Sequence, residues 1–189
     1  MCRYGFKSYK PHYVCFDCRK TFKQPTIEDF MRSRGLSDLW RRLGWLQYSP
    51  GPKRSATEVQ LKLRNIESNY YQAVQKCPNC DNQMVNLGLD FKAPKQSNKK
   101  AWKIIQGLHR IGTSWHTCGC NGPGYIPQTP AMYQEFLHNE QQEMEANLKK
   151  LEHDQTISLE RKTEDRKKYK RRIARIQQEM CYSTNPDFS

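Results

Sequence analysis

Long apolar runs are absent from this 189-residue chain. None approaches the roughly 18 residues that a membrane-spanning helix requires. The opening residues, Met1-Cys2-Arg3-Tyr4-Gly5, hold no apolar core of the kind a secretory signal needs, so the expectation is a soluble, cytoplasmic protein. Hydrophobic residues of all kinds are scarce, at 36%, which implies either a small core or a substantial non-globular segment. Glycine-rich phosphate loops are missing, as are metal motifs with an evident open position, so common enzymatic signatures are not found. Acidic side chains are also in deficit: 19 Asp/Glu face 32 Lys/Arg, for a formal net charge of +13. Residues 1–130 carry the whole excess, with 21 Lys/Arg against 8 Asp/Glu, whereas residues 131–189 hold 11 of each. A fixed positive surface of that kind attracts polyanions through phosphate contacts and counterion release.

What is present divides into recognisable pieces. Residues 12–23 combine β-formers with a Cys-x-x-Cys turn and predict two short strands around a knuckle. Thr26 can cap a helix containing Ile27, Phe30 and Met31, with Gly35 as its stop, and Ser37 can cap a second helix carrying Leu39, Trp40, Leu43 and Leu46. Ser-Pro-Gly-Pro at 49–52 is a break. Ser55 and Glu58 form a capping-box pattern. The helix that follows places Val59, Leu63, Ile66, Tyr70 and Val74 on one apolar face. Residues 84–91 read as a strand, Ser97 opens a helix with Trp102, Ile105 and Leu108 on one side, and residues 112–130 read as mostly loop. Thr129 caps and Pro130 opens a last helix that runs without Gly or Pro to about Met180, a length of roughly 75 Å. Its apolar residues keep no heptad register, so a strict coiled coil does not follow.

The eight cysteines are best explained by metal, since a reducing cytosol disfavours a disulfide framework. Cys15/Cys18 and Cys77/Cys80 form two Cys-x-x-Cys pairs, each of which offers two thiolates to a tetrahedral ion. Tyr13-Val14 leads a strand into the first pair, and Asp81 or Asn82 can supply the tight turn after the second. On these residues the chain resembles the zinc-ribbon superfamily, and Cys77-Pro78-Asn79-Cys80 resembles its rubredoxin-like knuckle. The resemblance covers about residues 12–23 and 76–91. Taken with the helices read above, it gives an α+β fold: a small zinc ribbon, with a helical insertion at about 25–76 filling the unusual 58-residue gap between Cys18 and Cys77, followed by a long C-terminal helix. The expected division is a domain at 1–128, a charged helix at 129–182 and a disordered tail at 183–189. One Zn2+ site is implied, and iron is compatible with four thiolates.

His116-x-Cys118-x-Cys120 leaves three readings open. It could be a second metal site, with Cys2, His109 or His12 as a fourth ligand. It could place His116 as a base beside a nucleophilic cysteine. It could be a loop packed for shape. Cys181 reads as an ordinary free thiol.

Basic side chains are the candidates for nucleic-acid contact. In the first domain these are Arg41, Arg42, Lys53, Arg54, Lys95, Lys99, Lys100 and Lys103; in the C-terminal segment they are Arg166, Lys167, Lys168, Lys170, Arg171 and Arg172. Trp40, Trp45 and Trp102 look inward and are expected in the core, where large aromatics contribute much buried area. The reading that follows is a non-catalytic zinc-ribbon protein that binds nucleic acid (RNA or DNA) or a ribonucleoprotein through a basic surface. The alternative is an adaptor that captures a protein partner through residues 129–182, with zinc purely structural.

Overall fold

The computed structural model describes residues 10–48, 56–115 and 126–184. Among them it holds one three-stranded antiparallel sheet and six helices, a mixed α+β architecture. The chain divides into two compact units. Residues 10–48, 56–93 and Trp115 form the first; residues 94–114 and 126–184 form the second. The division falls elsewhere than the anticipated boundary after residue 128, because the helix near residue 100 belongs with the C-terminal helices.

In the first unit, β1 (His12–Cys15) is the central strand, antiparallel to both β2 (Lys20–Lys23) and β3 (Val85–Gly88). Tyr13 pairs with Phe22, and Cys15 with Lys20, across the knuckle that joins β1 to β2. Tyr13, Val14 and Cys15 are all fully buried, so β1 is covered on both faces. The strand expected over 84–91 is shorter than its pattern. Gly88 adopts φ 106°, open to glycine and avoided by other residues, and the register against β1 shifts there. Trp115 returns beside β3: its amide donates to Leu87 O at 2.7 Å and its ring lies 5.2 Å from that of Phe91.

The helical insertion packs on this sheet. Helix α1 (Ile27–Ser33) starts where Thr26 Oγ1 accepts from the Asp29 amide at 3.2 Å, and it stops before Gly35, at φ 69°. Helix α2 (Ser37–Tyr48) takes Ser37 as its first residue, not as its cap. Helix α3 (Ala56–Val74) buries Tyr70 and Val74 and half-buries Leu63 and Ile66. Ser55 and the break at 49–52 lie outside the described residues. One cluster unites sheet and insertion: Tyr13, Phe30, Met31, Tyr70, Val74 and Met84, with Cys15 and Cys77 among them and Trp40 at its margin. The Phe30 and Tyr70 rings meet edge-on at 5.5 Å, and Tyr70 Oη donates to Pro25 O at 2.9 Å, which ties α3 to the entry of α1. Burial, then the neighbouring Tyr13, push the Tyr70 phenol well above its usual range, so it remains a donor. A core this small contributes only a few large side chains at about 1.5–3 kcal/mol each, and domains of this kind are commonly stapled.

The second unit is helical. Helix α4 (Lys99–Arg110) is capped by Asn98, whose Oδ1 accepts from the Ala101 amide at 3.0 Å, one residue later than the anticipated Ser97. It buries Trp102, Ile104, Ile105 and Leu108. Helix α5 (Pro130–His153) is capped by Thr129 as expected, with Pro130 leading it. The single long helix to about Met180 is corrected by the structure: α5 ends at His153 and α6 (Leu159–Ser183) follows it. Asp154 Oδ1 accepts from the amide of Thr156 at 2.8 Å and from its hydroxyl at 2.6 Å, and Ser158 caps α6. These short polar side chains offer the backbone an alternative to further helix, with no Gly or Pro needed. The two helices run antiparallel, as Gln134 reaching Ser183, Glu140 pairing with Arg172 and Glu152 pairing with Arg166 require. Each is about 36 Å long, half the length anticipated. No helix among the described residues is long and apolar enough to cross a membrane.

An ionic node joins all three helices of this unit. Arg110 of α4 grips the Glu179 carboxylate of α6 with two bonds, of 2.6 and 2.8 Å, while Tyr133 of α5 donates to it at 3.1 Å. Glu179 is only 3% exposed. Gly107 makes room for the arrangement, since a Cβ there would collide with Tyr133 Oη and Glu179 Oε1.

Candidate metal centre and basic surface

Cys15, at the end of β1, and Cys18, in the following turn, face Cys77 and Cys80, which occupy the turn between α3 and β3. The four Sγ atoms all lie within 4.8 Å of one another. Cys15 and Cys80 are 3.6 Å apart, and Cys18 and Cys77 4.0 Å. Sulfurs bound tetrahedrally at about 2.3 Å stand about 3.8 Å from each other, so the observed spacing fits an ion at the centre. Two cysteine pairs with 58 residues between them are thus within reach of one metal ion, and zinc is compatible with the donor set. None of the four is in a disulfide. Cys15 and Cys77 are buried in the core, Cys18 is half-buried and Cys80 exposed, so the site lies where the core meets solvent.

The two knuckles repeat one backbone design. Arg19 and Asp81, each directly after the second cysteine of its pair, adopt left-handed conformations, with φ 50° and 62°. Asp81 is one of the two residues expected to do so; Arg19 was not foreseen, because a long side chain is a poor marker of positive φ. Backbone amides point at the sulfurs: Cys18 N lies 3.5 Å from Cys15 Sγ, and Asn79 N 3.4 Å from Cys77 Sγ. The Asn79 side-chain amide reaches Cys18 Sγ at 3.5 Å. Burial raises the Cys77 thiol, but the Asn79 and Cys80 amides outweigh it and bring the thiol down to about 7. Cys80 goes the other way. The Asn82 amide favours its thiolate, yet crowding by Cys18 and burial push it up to about 12. Without a cation the cluster favours one thiolate and resists a second at the same point. A divalent ion removes that repulsion.

Side chains missed by the sequence reading lock the knuckles together. Asn82 donates to Asp17 at 2.9 Å, and Lys20 donates to Asn79 at 3.0 Å. The available signal was positional: Asp17 and Asn79 sit two residues after the first cysteine of each pair, Lys20 and Asn82 five residues after it. His116, Cys118 and Cys120 lie outside the described residues, as does Cys2.

The basic candidates fall into distinct situations. Arg41 pairs with Asp38 at 3.2 Å, and the Arg42 guanidinium donates to Asp38 O. Lys53 and Arg54 lie outside the described residues. Lys95, Lys99 and Lys100 are exposed at the entry to α4, with Lys103 half-buried behind them. On α6, Arg166 pairs with Glu152 at 3.6 Å, Lys168 with Glu164 at 3.0 Å and Asp165 at 3.3 Å, and Arg172 with Glu140 at 2.8 Å. Lys167, Lys170 and Arg171 are exposed. Trp102 is buried, Trp40 packs against the core and the Trp45 side chain is outside the described set. Comparison with protein-family models, curated proteins and solved structures gives no match.

Proposed function

We propose that this protein is a non-catalytic, zinc-stapled module of zinc-ribbon type that binds nucleic acid, alone or within a ribonucleoprotein, through its basic surface. The thiolate cluster supplies the scaffold: its four donors would all be occupied by protein sulfur, which leaves no open position for a reactive water. The observation that carries the binding reading lies at the start of α4. Helix first turns favour acidic residues, because the macrodipole is positive there and a cation costs about 0.3–1 kcal/mol. The first turn of α4 has no acidic residue; it holds Lys99 and Lys100, with Lys95 just before. Positive charge set against the dipole gains nothing for the fold and concentrates potential for an anionic partner. In the adaptor alternative, the docking element would be the α5–α6 hairpin in place of one extended helix.

Two measurements on the purified full chain test this. One zinc per chain is expected by elemental analysis; iron in its place would overturn the assignment to zinc, and no metal at all would overturn the scaffold. Binding to single-stranded RNA or DNA should weaken linearly in log Kd against log salt, with a slope that reflects several phosphates. No affinity for either polymer at low salt would overturn the nucleic-acid reading.

A further inference from the structure

The geometry points to a phosphate-binding cleft within the helical unit, between the end of α4 and the middle of α6, that takes backbone phosphates of a nucleic-acid strand. This deepens the nucleic-acid reading and rests on it. The cleft measures about 290 Å³ and is lined by Ile111, Gly112, Lys168, Arg171, Arg172 and Arg175. Its four cations stand at i, i+3, i+4 and i+7 of α6, hence on one face, and span about 10 Å. Across from them Gly112, at φ 90°, presents no side chain; a Cβ there would lie 3.9 Å from Arg175 Nη1 and narrow the opening.

The charge inside the unit does not cancel. Lys168 is held by Glu164 and Asp165, and Arg172 by Glu140. Arg171 spends its Nε on the Lys167 carbonyl at 3.2 Å. Among the described residues, no carboxylate lies in ion-pair range of Arg171 or Arg175. Arg172 adds a buried Nε that has no hydrogen-bond partner among them. Buried donors are usually satisfied by protein, water or a ligand, so this one is open to an acceptor that enters the cleft.

Attraction of these cations to the α4 C-terminus does not account for the cluster. The carbonyls of Gly107, Leu108 and His109 already accept from the amides of Ile111, Thr113 and Gly112. An apolar small molecule fits poorly too, since such pockets are mainly apolar, enclose their ligand and begin near about 300 Å³. A shallow cationic groove suits a strand passing along it, with Arg171 and Arg175, about 6 Å apart, each meeting a phosphate.

The test is fluorescence anisotropy of a labelled mixed-sequence single-stranded 12-mer, as RNA and as DNA, across a salt series. The full-length double variant Arg171→Gln/Arg175→Gln is compared with wild type and with a charge-matched control, Lys149→Gln/Lys150→Gln on α5. Circular dichroism checks that both variants fold. The cleft variant should bind about tenfold more weakly, with a log–log slope shallower by about 1.4, and the control should keep the wild-type slope. Wild-type binding with an unchanged slope in the cleft variant, or an equal loss in the control, overturns the cleft alone. Absence of binding by wild type overturns the cleft and the nucleic-acid reading together.

Discussion

Asn82 donates its side-chain amide to the carboxylate of Asp17, 65 residues away in sequence, at 2.9 Å, and so bridges the two Cys-x-x-Cys turns. Lys20 and Asn79 make the matching contact from the other side. Together they hold the knuckles face to face around the sulfur cluster. Each contact is exposed and worth about 0.5–1.5 kcal/mol at most. Asp17→Ala and Asn82→Ala should each lower stability by about 1 kcal/mol, and the double variant should cost clearly less than the two losses added. A denaturant-melt double-mutant cycle checks this; full additivity would mean that the contact contributes nothing.

The metal itself should matter far more. Cys18→Ser and Cys80→Ser alter the two less buried ligands and leave the packed Cys15 and Cys77 in place, so they separate metal loss from core damage. Zinc content should fall to near zero in both, with a loss of about 3 kcal/mol or more in the first unit, because binding free energy appears as folding free energy. Chelator-treated wild type should match the variants. Acidification from pH 7 toward 5 should release the ion, since the thiolates must be protonated as it leaves. A chelated protein that melts like the untreated one would contradict this.

Glu179 is the group whose loss should most damage the helical unit. Replacing it with Ala removes the anion that Arg110 grips and the hydrogen bond that Tyr133 donates to it; because Arg110 is partly open to water, the expected loss is about 2–3 kcal/mol. Gly107→Ala should destabilise by a similar mechanism, since the new methyl displaces Tyr133 and Glu179 from their contact. Urea denaturation monitored by far-ultraviolet circular dichroism reads both. A loss under 1 kcal/mol for Glu179→Ala would show the node to be dispensable.

The turn at Asp154–Ser158 marks where sequence and structure part. Asp154→Ala and Ser158→Ala should each cost about 1 kcal/mol by removing an Asx-type turn and a helix cap, measurable in the same melts. A stretch free of Gly and Pro reads as one continuous helix, because Asp, Thr and Ser carry no such hard stop. What folds the hairpin is pairing between positions far apart, such as Glu140 with Arg172, and local periodicity is blind to that. Nothing near Glu179 in the sequence marks it as buried, for the same reason: its partner Arg110 is 69 residues away. The thiolate site was legible because each Cys-x-x-Cys is a local pattern that already fixes half of a tetrahedron. The caps at Thr26 and Thr129 were legible because capping is decided within four residues.

His109 gives the helical unit a dependence on pH whose sign follows from its surroundings. Burial first, then the adjacent Arg110 charge, hold its imidazole below the usual histidine value. The unfolded chain therefore takes up this proton at a higher pH than the folded chain does. Its contribution to stability is fully present above about pH 6.5, and is lost as pH falls from there toward the folded value. His109→Gln keeps a polar side chain of similar reach but cannot titrate. Between pH 7.5 and 5.5 the variant should lose less stability than wild type, a difference best read with zinc removed from both so that the thiolate site does not contribute. Parallel pH profiles for the two chains would mean that His109 is as easily protonated folded as unfolded, contrary to its burial beside a guanidinium.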